Sequence, residues 1–382
     1  MKIAFEAAPL IDANRSGIGN CEAGLTEALG RLYPEHHIYL QYHTTRRNKE
    51  KAERIRPFLR ENVHEQGVRF SRIIYRAMIT LLPLPYRFIY GKEADITHFF
   101  NYIVPPGVGT KTVVTVHDMV LHAFPETMRD RTRMMLSANL KRSIRRADLI
   151  ITDSEFSKSE IIKYYPDTKD RLRVVYCGVD TERFHPIPNR TEIDPVLTKY
   201  DLAGQDYFLY LGTIEPRKNL ERLIRAYAKL KAEHPHAPLL ILGGGRGWNC
   251  DSIYQTVKDL KLEESVRFTG YLPGEDMNPL LNGACAFVFP SVYEGFGLPP
   301  LEAMAAGTPV LTSTAASLPE VVGECAVLTD PYQIDEMADA LQTIWQDETL
   351  RARLRRDGRE RAKQFSWDAA AQQLMHAYLS LM

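Results

Sequence analysis

A chain of 382 residues that is 45% hydrophobic and 25% charged can bury large cores, and its length suggests two domains of roughly 150 to 200 residues. Lys plus Arg equals Asp plus Glu at 48 each, so the basic bias of a general nucleic-acid binder is missing. Five scattered cysteines (Cys21, Cys177, Cys250, Cys285, Cys325), none spaced C-x-x-C, argue against a disulfide framework or a structural zinc site and fit a reducing cytoplasm.

The chain opens Met1-Lys2-Ile3-Ala4-Phe5, which turns polar too soon for a secretory signal. No later run approaches the ~18 apolar residues of a membrane span. In chain order, strand-length apolar runs fall at 2–7, 37–41, 95–99, 111–117, 147–153 and 172–176, then at 207–213, 238–243, 266–270, 285–290 and 309–313, with a weaker one at 325–328. Helical-period segments fill the gaps, as at 219–234, 252–260, 333–347 and 350–365. Two such β-α series imply an α/β protein of two doubly wound domains. The proline-rich, polar run from Cys177 to Pro188 can extend neither sheet, which places the first domain at 1–178, a link at 179–200 and the second domain at 201–365.

Charge is uneven along this order. Between Gln41 and Tyr90, eleven Arg or Lys stand against four Glu, so 11 − 4 leaves +7 in a neutral chain. Arg69, Arg72, Arg76 and Arg87 interleave there with Phe70, Ile73, Ile74, Tyr75, Met78, Ile79, Leu81 and Leu82. Such a pattern suits either an ordinary amphipathic helix with a solvated face or one that lies on anionic lipid.

Ligands of open α/β sheets bind beyond the carboxyl ends of the strands, and residues that carry chemistry stand there. After the run at 207–211 come Gly212-Thr213-Ile214-Glu215-Pro216-Arg217-Lys218-Asn219 and a helix: a glycine turn, two cations and a helix start, which suit a diphosphate or simply a capped helix with surface charges. After 285–290 comes Glu294-Gly295-Phe296-Gly297-Leu298-Pro299-Pro300-Leu301-Glu302. Its glycines permit close backbone approach, its prolines suit a first helical turn, and Gly307 suits the cap. Glu294 and Glu302 could accept hydrogen bonds from sugar hydroxyls, or be a loop charge and a surface ion pair. In the first half, His117-Asp118 ends the run at 111–117, where the histidine could donate to a sugar hydroxyl. Arg15-Ser16-Gly17-Ile18-Gly19-Asn20 opens a helix after the first strand, but Glu22 stands where a dinucleotide fingerprint needs its third glycine.

Together, G-T-I-E-P-R-K-N at 212–219, the E-x7-E run of Glu294 to Glu302, V-H-D at 116–118, S-E-F-S at 154–157 and C-G-V-D-T-E-R-F at 177–184 resemble glycosyltransferase family 4, retaining enzymes of the GT-B fold, over nearly the whole chain. The resemblance implies a nucleotide-sugar donor on the second domain, an acceptor on the first, catalysis in the cleft, and a last helix, 366–382, that returns to the first domain. It implies Glu302 on the donor ribose, Glu294 on the donor sugar, and Lys218 with Arg217 on the diphosphate. It places the amides of Gly295, Phe296, Gly297 and Leu298 near sugar and phosphate, His117 at the donor sugar, and Gly17 and Gly19 at the phosphates. Tyr271 and Leu272 match, weakly, where the family holds the base. Many members carry arginine where this chain has Thr213, which leaves the phosphate clamp to Arg217 or a residue not identified. The loop Gly243-Gly244-Gly245-Arg246-Gly247-Trp248 is similar to the mannosyl and rhamnosyl branch of bacterial surface polysaccharide synthesis, with Gly244 toward the donor. The expected donor is GDP-mannose, with dTDP-rhamnose as the alternative. No cofactor beyond this co-substrate is expected, and no metal, since D-x-D is nowhere in the sequence. The expected acceptor is a glycan or lipid-linked saccharide, met in the cytoplasm or at the inner face of an anionic membrane. A dehydrogenase, an epimerase and a catalytically silent GT-B subunit are the competing readings.

Overall fold

The apolar runs become two parallel sheets in the computed structural model, which describes residues 1–12, 15–44, 50–71, 75, 84–91 and 93–382. Of the basic amphipathic stretch, Arg72, Ile73, Ile74, Arg76, Met78, Ile79, Leu81 and Leu82 lie outside the described residues.

The first unit comprises Met1–Leu121, Asp130–Gly178 and Ser366–Met382. Its strands are β1 (Lys2–Glu6), β2 (His37–His43), β3 (Val63–Val68), β4 (Ile96–Phe99), β5 (Lys111–Thr115), β6 (Leu149–Thr152) and β7 (Leu172–Val174), in the order β3-β2-β1-β4-β5-β6-β7. All pairs are parallel, as in Phe5 beside Leu40 and His98. Central strands read as continuous apolar runs because helices cover both faces; Ile3, Ala4 and Phe5 have no exposed surface. The sequence reading missed β3, whose residues V-H-E-Q-G-V are too polar for an apolar run because it is an edge strand.

Helix Trp367–Leu379 belongs to this unit. Two glycines make its seat: a Cβ on Gly24 would stand 2.2 Å from the Trp367 ring, and one on Gly178 would stand 2.4 Å from the Trp367 amide. Tyr378 seals the far end, its hydroxyl 2.6 Å from Nδ1 of buried His98.

The second unit comprises His122–Arg129 and Val179–Phe365. Its strands are β8 (Tyr207–Leu211), β9 (Leu239–Gly243), β10 (Val266–Gly270), β11 (Ala286–Phe289), β12 (Val310–Ser313) and β13 (Val327–Thr329), again parallel, in the order β10-β9-β8-β11-β12-β13. Two boundaries differ from the sequence reading. Residues 122–129 fall in this unit because the Trp248 indole N–H donates to the Thr127 carbonyl, Arg129 lies over the Trp248 ring and Phe124 packs on Tyr293. Residues 179–200 are also part of it rather than a free link. Helix Arg190–Lys199 packs on helix Gly274–Gly283, and Lys199 and Tyr200 both donate to the Asp276 carboxylate, at 2.5 and 2.6 Å.

Candidate active site

Strand order in the second sheet reverses between β8 and β11, and in open α/β sheets the crevice at such a reversal is where ligands bind. Four charged side chains meet there. The Lys218 ammonium donates to Glu294 Oε1 at 2.6 Å, and the Arg217 guanidinium donates to Glu294 Oε2 at 2.9 Å and to Glu215 Oε1 at 2.9 Å. Two anions thus balance two cations, all taken largely out of water, since Glu215, Lys218 and Glu294 are 2%, 8% and 8% exposed. Burial pushes the Glu294 carboxyl up, but Arg217 and Lys218 outweigh it and hold the group at about 2. Burial pulls the Lys218 ammonium below the ordinary lysine range, against the attraction of Glu294.

The local sequence builds this arrangement from both strands. Beyond β8 a short 3-10 turn, Pro216–Lys218, ends on Asn219 in the left-handed region at φ 60°, a conformation asparagine tolerates. The Asn219 amide donates to the Pro290 carbonyl at 3.1 Å and the Pro331 carbonyl at 2.7 Å, locking the cation loop to the end of β11. Arg217 also donates to the Tyr293 carbonyl, and the Val292 amide donates back to the Arg217 carbonyl. Beyond β11, the Ser317 hydroxyl lies 2.9 Å from the Glu294 carbonyl and 2.6 Å from the Phe296 carbonyl, holding the turn before helix Leu298–Ala306. Gly297 sits at φ 121°, where a side chain would be strained and would meet Leu318.

Glu302 is half-buried on that helix, and burial pushes its carboxyl up to about 7, Arg183 drawing it down and Asp180 adding to the rise. Of the other donor-side expectations, Thr213 is exposed and its carbonyl accepts the Tyr210 hydroxyl at 3.0 Å. Gly244 is fixed by packing: a Cβ there would lie 1.8 Å from the Gly212 carbonyl oxygen, while its own amide donates to Gly270. The ends of β8, β9 and β10 are so joined into one rim. Tyr271 projects from it at 66% exposure, whereas Leu272 is buried against Gly243. Phe296 turns inward onto Phe365, so only its backbone remains for a ligand.

Two of the expected site residues are held by protein partners. Arg217 binds two carboxylates and a carbonyl, and so orders Glu294. His117, just beyond β5 of the first unit, donates from Nδ1 to Asp153 at 2.6 Å and from Nε2 to the Phe100 carbonyl at 2.7 Å. Both ring nitrogens of His117 thus face protein oxygens. Burial lowers its pKa, but Asp153 outweighs burial and raises it to about 9. Gly17 is exposed at the start of helix Gly17–Leu32, where Ser16 makes no side-chain cap. Gly19 is buried, and a Cβ there would lie 2.6 Å from the Pro9 carbonyl oxygen. Sequence reasoning did not assign Asn219, Ser317, Glu215 or Asp153; only Asn219 and Glu215 stood inside a motif that could have drawn attention to them.

Two doubly wound parallel units in one chain, with the last helix in the first unit and the charge cluster at the second sheet's reversal, are the make-up of the GT-B fold. The Glycosyltransferase Family 4 profile matches residues 15–183 and the Glycosyl transferases group 1 profile matches residues 194–361. O-antigen chain mannosyltransferase B of Escherichia coli is 40% identical over 284 residues, 74% of this chain and 74% of that one. Serotype-specific mannosyltransferase WbdA of Escherichia coli is 32% identical over 276 residues, 71% of this chain but 34% of that longer protein. Anabaena HepE, solved in complex with UDP and glucose, superposes with a TM-score of 0.76 at 19% identity over 100% of both chains, a likeness of fold. The chain belongs to glycosyltransferase family 4, whose members transfer hexoses with retention.

Proposed function

We propose that the protein transfers mannose from GDP-mannose to a glycan or lipid-linked glycan during bacterial surface polysaccharide synthesis. The observation that carries this reading is the Glu294–Lys218–Arg217 cluster at the sheet reversal, set in a chain whose relatives in Escherichia coli are named as mannosyltransferases. Those names favour mannose over rhamnose as the sugar. Lys218 has three N–H donors, of which Glu294 takes one, so it can bridge Glu294 and a phosphate oxygen together. As the sugar C1 becomes oxocarbenium-like, the leaving diphosphate gains negative charge, and one well-placed donor is worth roughly 3 to 4 kcal/mol there. Glu302 accepts the ribose hydroxyls, Tyr271 offers an exposed ring for the base, and the acceptor proton passes to a donor phosphate oxygen, so no enzymic base is needed. This scheme uses no metal ion at the diphosphate.

A thermal-shift screen over nucleotide sugars tests the donor. GDP-mannose at 100 times its dissociation constant adds about 2.7 kcal/mol of stability. Stabilisation by dTDP-rhamnose or UDP-sugars alone would overturn the assignment. No helix of the described residues is long and apolar enough to cross a membrane. We assign the +7 segment between Gln41 and Tyr90 to reversible contact with an anionic cytoplasmic leaflet, each basic residue adding about 1 kcal/mol. Vesicle sedimentation checks this: pelleting with anionic but not neutral lipid, weakened by salt, is expected, and equal or absent pelleting with both refutes it.

A further inference from the structure

Away from the donor side, the first unit brings three potential ligands together from separate elements. Cys21 lies on helix Gly17–Leu32, Asp153 one residue beyond β6, and Cys177 three residues beyond β7. One ligand atom from each lies within 4.8 Å of the other two, and the two sulfurs are 3.6 Å apart. All three side chains are buried, at 5%, 5% and 3% exposure. Two thiolates on a tetrahedral zinc ion, with Zn–S of about 2.3 Å, lie about 3.8 Å apart, so the sulfurs already stand near that spacing.

We propose that Cys21, Cys177 and Asp153 form a buried site for a thiophilic divalent cation of the zinc type. Two thiolates and a carboxylate are the donor set such an ion prefers over magnesium or calcium. Asp153 accepts one hydrogen bond from His117, and a carboxylate with two oxygens keeps capacity for a cation. His117 then takes the outer position that supports a metal-bound carboxylate. Charge balances: the ion brings two positive charges, the two thiols release two protons to solvent, and the Asp153–His117 pair is unchanged. A filled site would tie the glycine-loop helix to the chain end at Gly178, where the first unit hands over to the second. The inference stands independently of the donor reading.

Wild-type protein, kept reduced and loaded separately with zinc and cobalt(II) and then desalted, tests it. The expected results are one retained equivalent of metal, two protons released per ion at neutral pH, and a near-ultraviolet thiolate-to-cobalt charge-transfer band. The Cys21→Ser/Cys177→Ser variant, which keeps Cys250, Cys285 and Cys325, should lose the band and the retained metal, and Asp153→Asn should bind at least tenfold more weakly. A folded wild-type protein that retains no metal and shows no band overturns the proposal without recourse to any variant. Equal retention by the double variant, or a Cys21–Cys177 disulfide in protein purified without reductant, also overturns it.

Discussion

Removing Lys218 probes the charge cluster most directly. Holding Glu294 at about 2 rather than the ordinary 4.5 corresponds to about 3 kcal/mol in favour of the ionised, folded form. Because the folded value lies below the unfolded one, this stability is present above pH 4.5 and is lost as pH falls from there toward 2. Lys218→Met leaves Glu294 with Arg217, the larger of its two attractions, and should destabilise the second unit by part of that amount, about 1 to 2 kcal/mol. Glu294→Gln strands the buried Lys218 ammonium, while Arg217 keeps Glu215, with about 3 kcal/mol lost. The double variant removes one charge of each sign, so the two losses should couple by at least about 1.5 kcal/mol. Urea unfolding followed by tryptophan fluorescence reads this out, since Trp248 and Trp345 lie in the second unit and only Trp367 lies in the first. At pH 4 to 5, Lys218→Met should lose stability that the wild type retains. Additive effects within about 0.5 kcal/mol, or unchanged acid sensitivity, would refute the view that Lys218 and Glu294 act as one unit.

Glu302→Ala should weaken nucleoside diphosphate affinity by roughly ten- to a hundredfold, the worth of a charged hydrogen bond of about 1.5 to 3 kcal/mol, as read by calorimetry. With the Glu302 carboxyl at about 7, wild-type affinity should rise between pH 6 and 8 as the better acceptor ionises, and Glu302→Gln should flatten that rise. Turnover should survive brief EDTA treatment and gain nothing from Mg²⁺ or Mn²⁺; near-complete loss restored by either ion would contradict diphosphate binding by Lys218 and backbone amides. Gly244→Ala, which forces a methyl group to 1.8 Å from the Gly212 oxygen, should cost about 3 kcal/mol and lower the unfolding midpoint of the second unit.

The sheets were legible because buried parallel strands read as apolar runs, and Glu294, Lys218 and Glu302 because they follow such runs at turns rich in glycine or proline. The polar edge strand β3 lacked that signal, and 122–129 could not be assigned to its unit without knowing that Trp248 reaches Thr127. The state of His117 was equally hidden. Whether a histidine at a strand end faces a ligand or two protein acceptors depends on Phe100 and Asp153, which lie 17 and 36 residues away. The cysteine spacing that argued against a zinc site tests only local ligand pairs; Cys21 and Cys177 are 156 residues apart and meet through the fold.

The seat that Gly24 and Gly178 make for Trp367 imposes an order on synthesis. Residues 179–365 form one continuous stretch that can collapse as soon as it clears the ribosome, needing only 122–129 from upstream. The first unit, although begun earlier, waits for 366–382, which takes about 1 to 3 s longer at 5 to 20 residues per second. Throughout that interval the groove beside helix Gly17–Leu32 is open and apolar, so chaperone binding and aggregation should concentrate on the half of the protein that is made first and finished last.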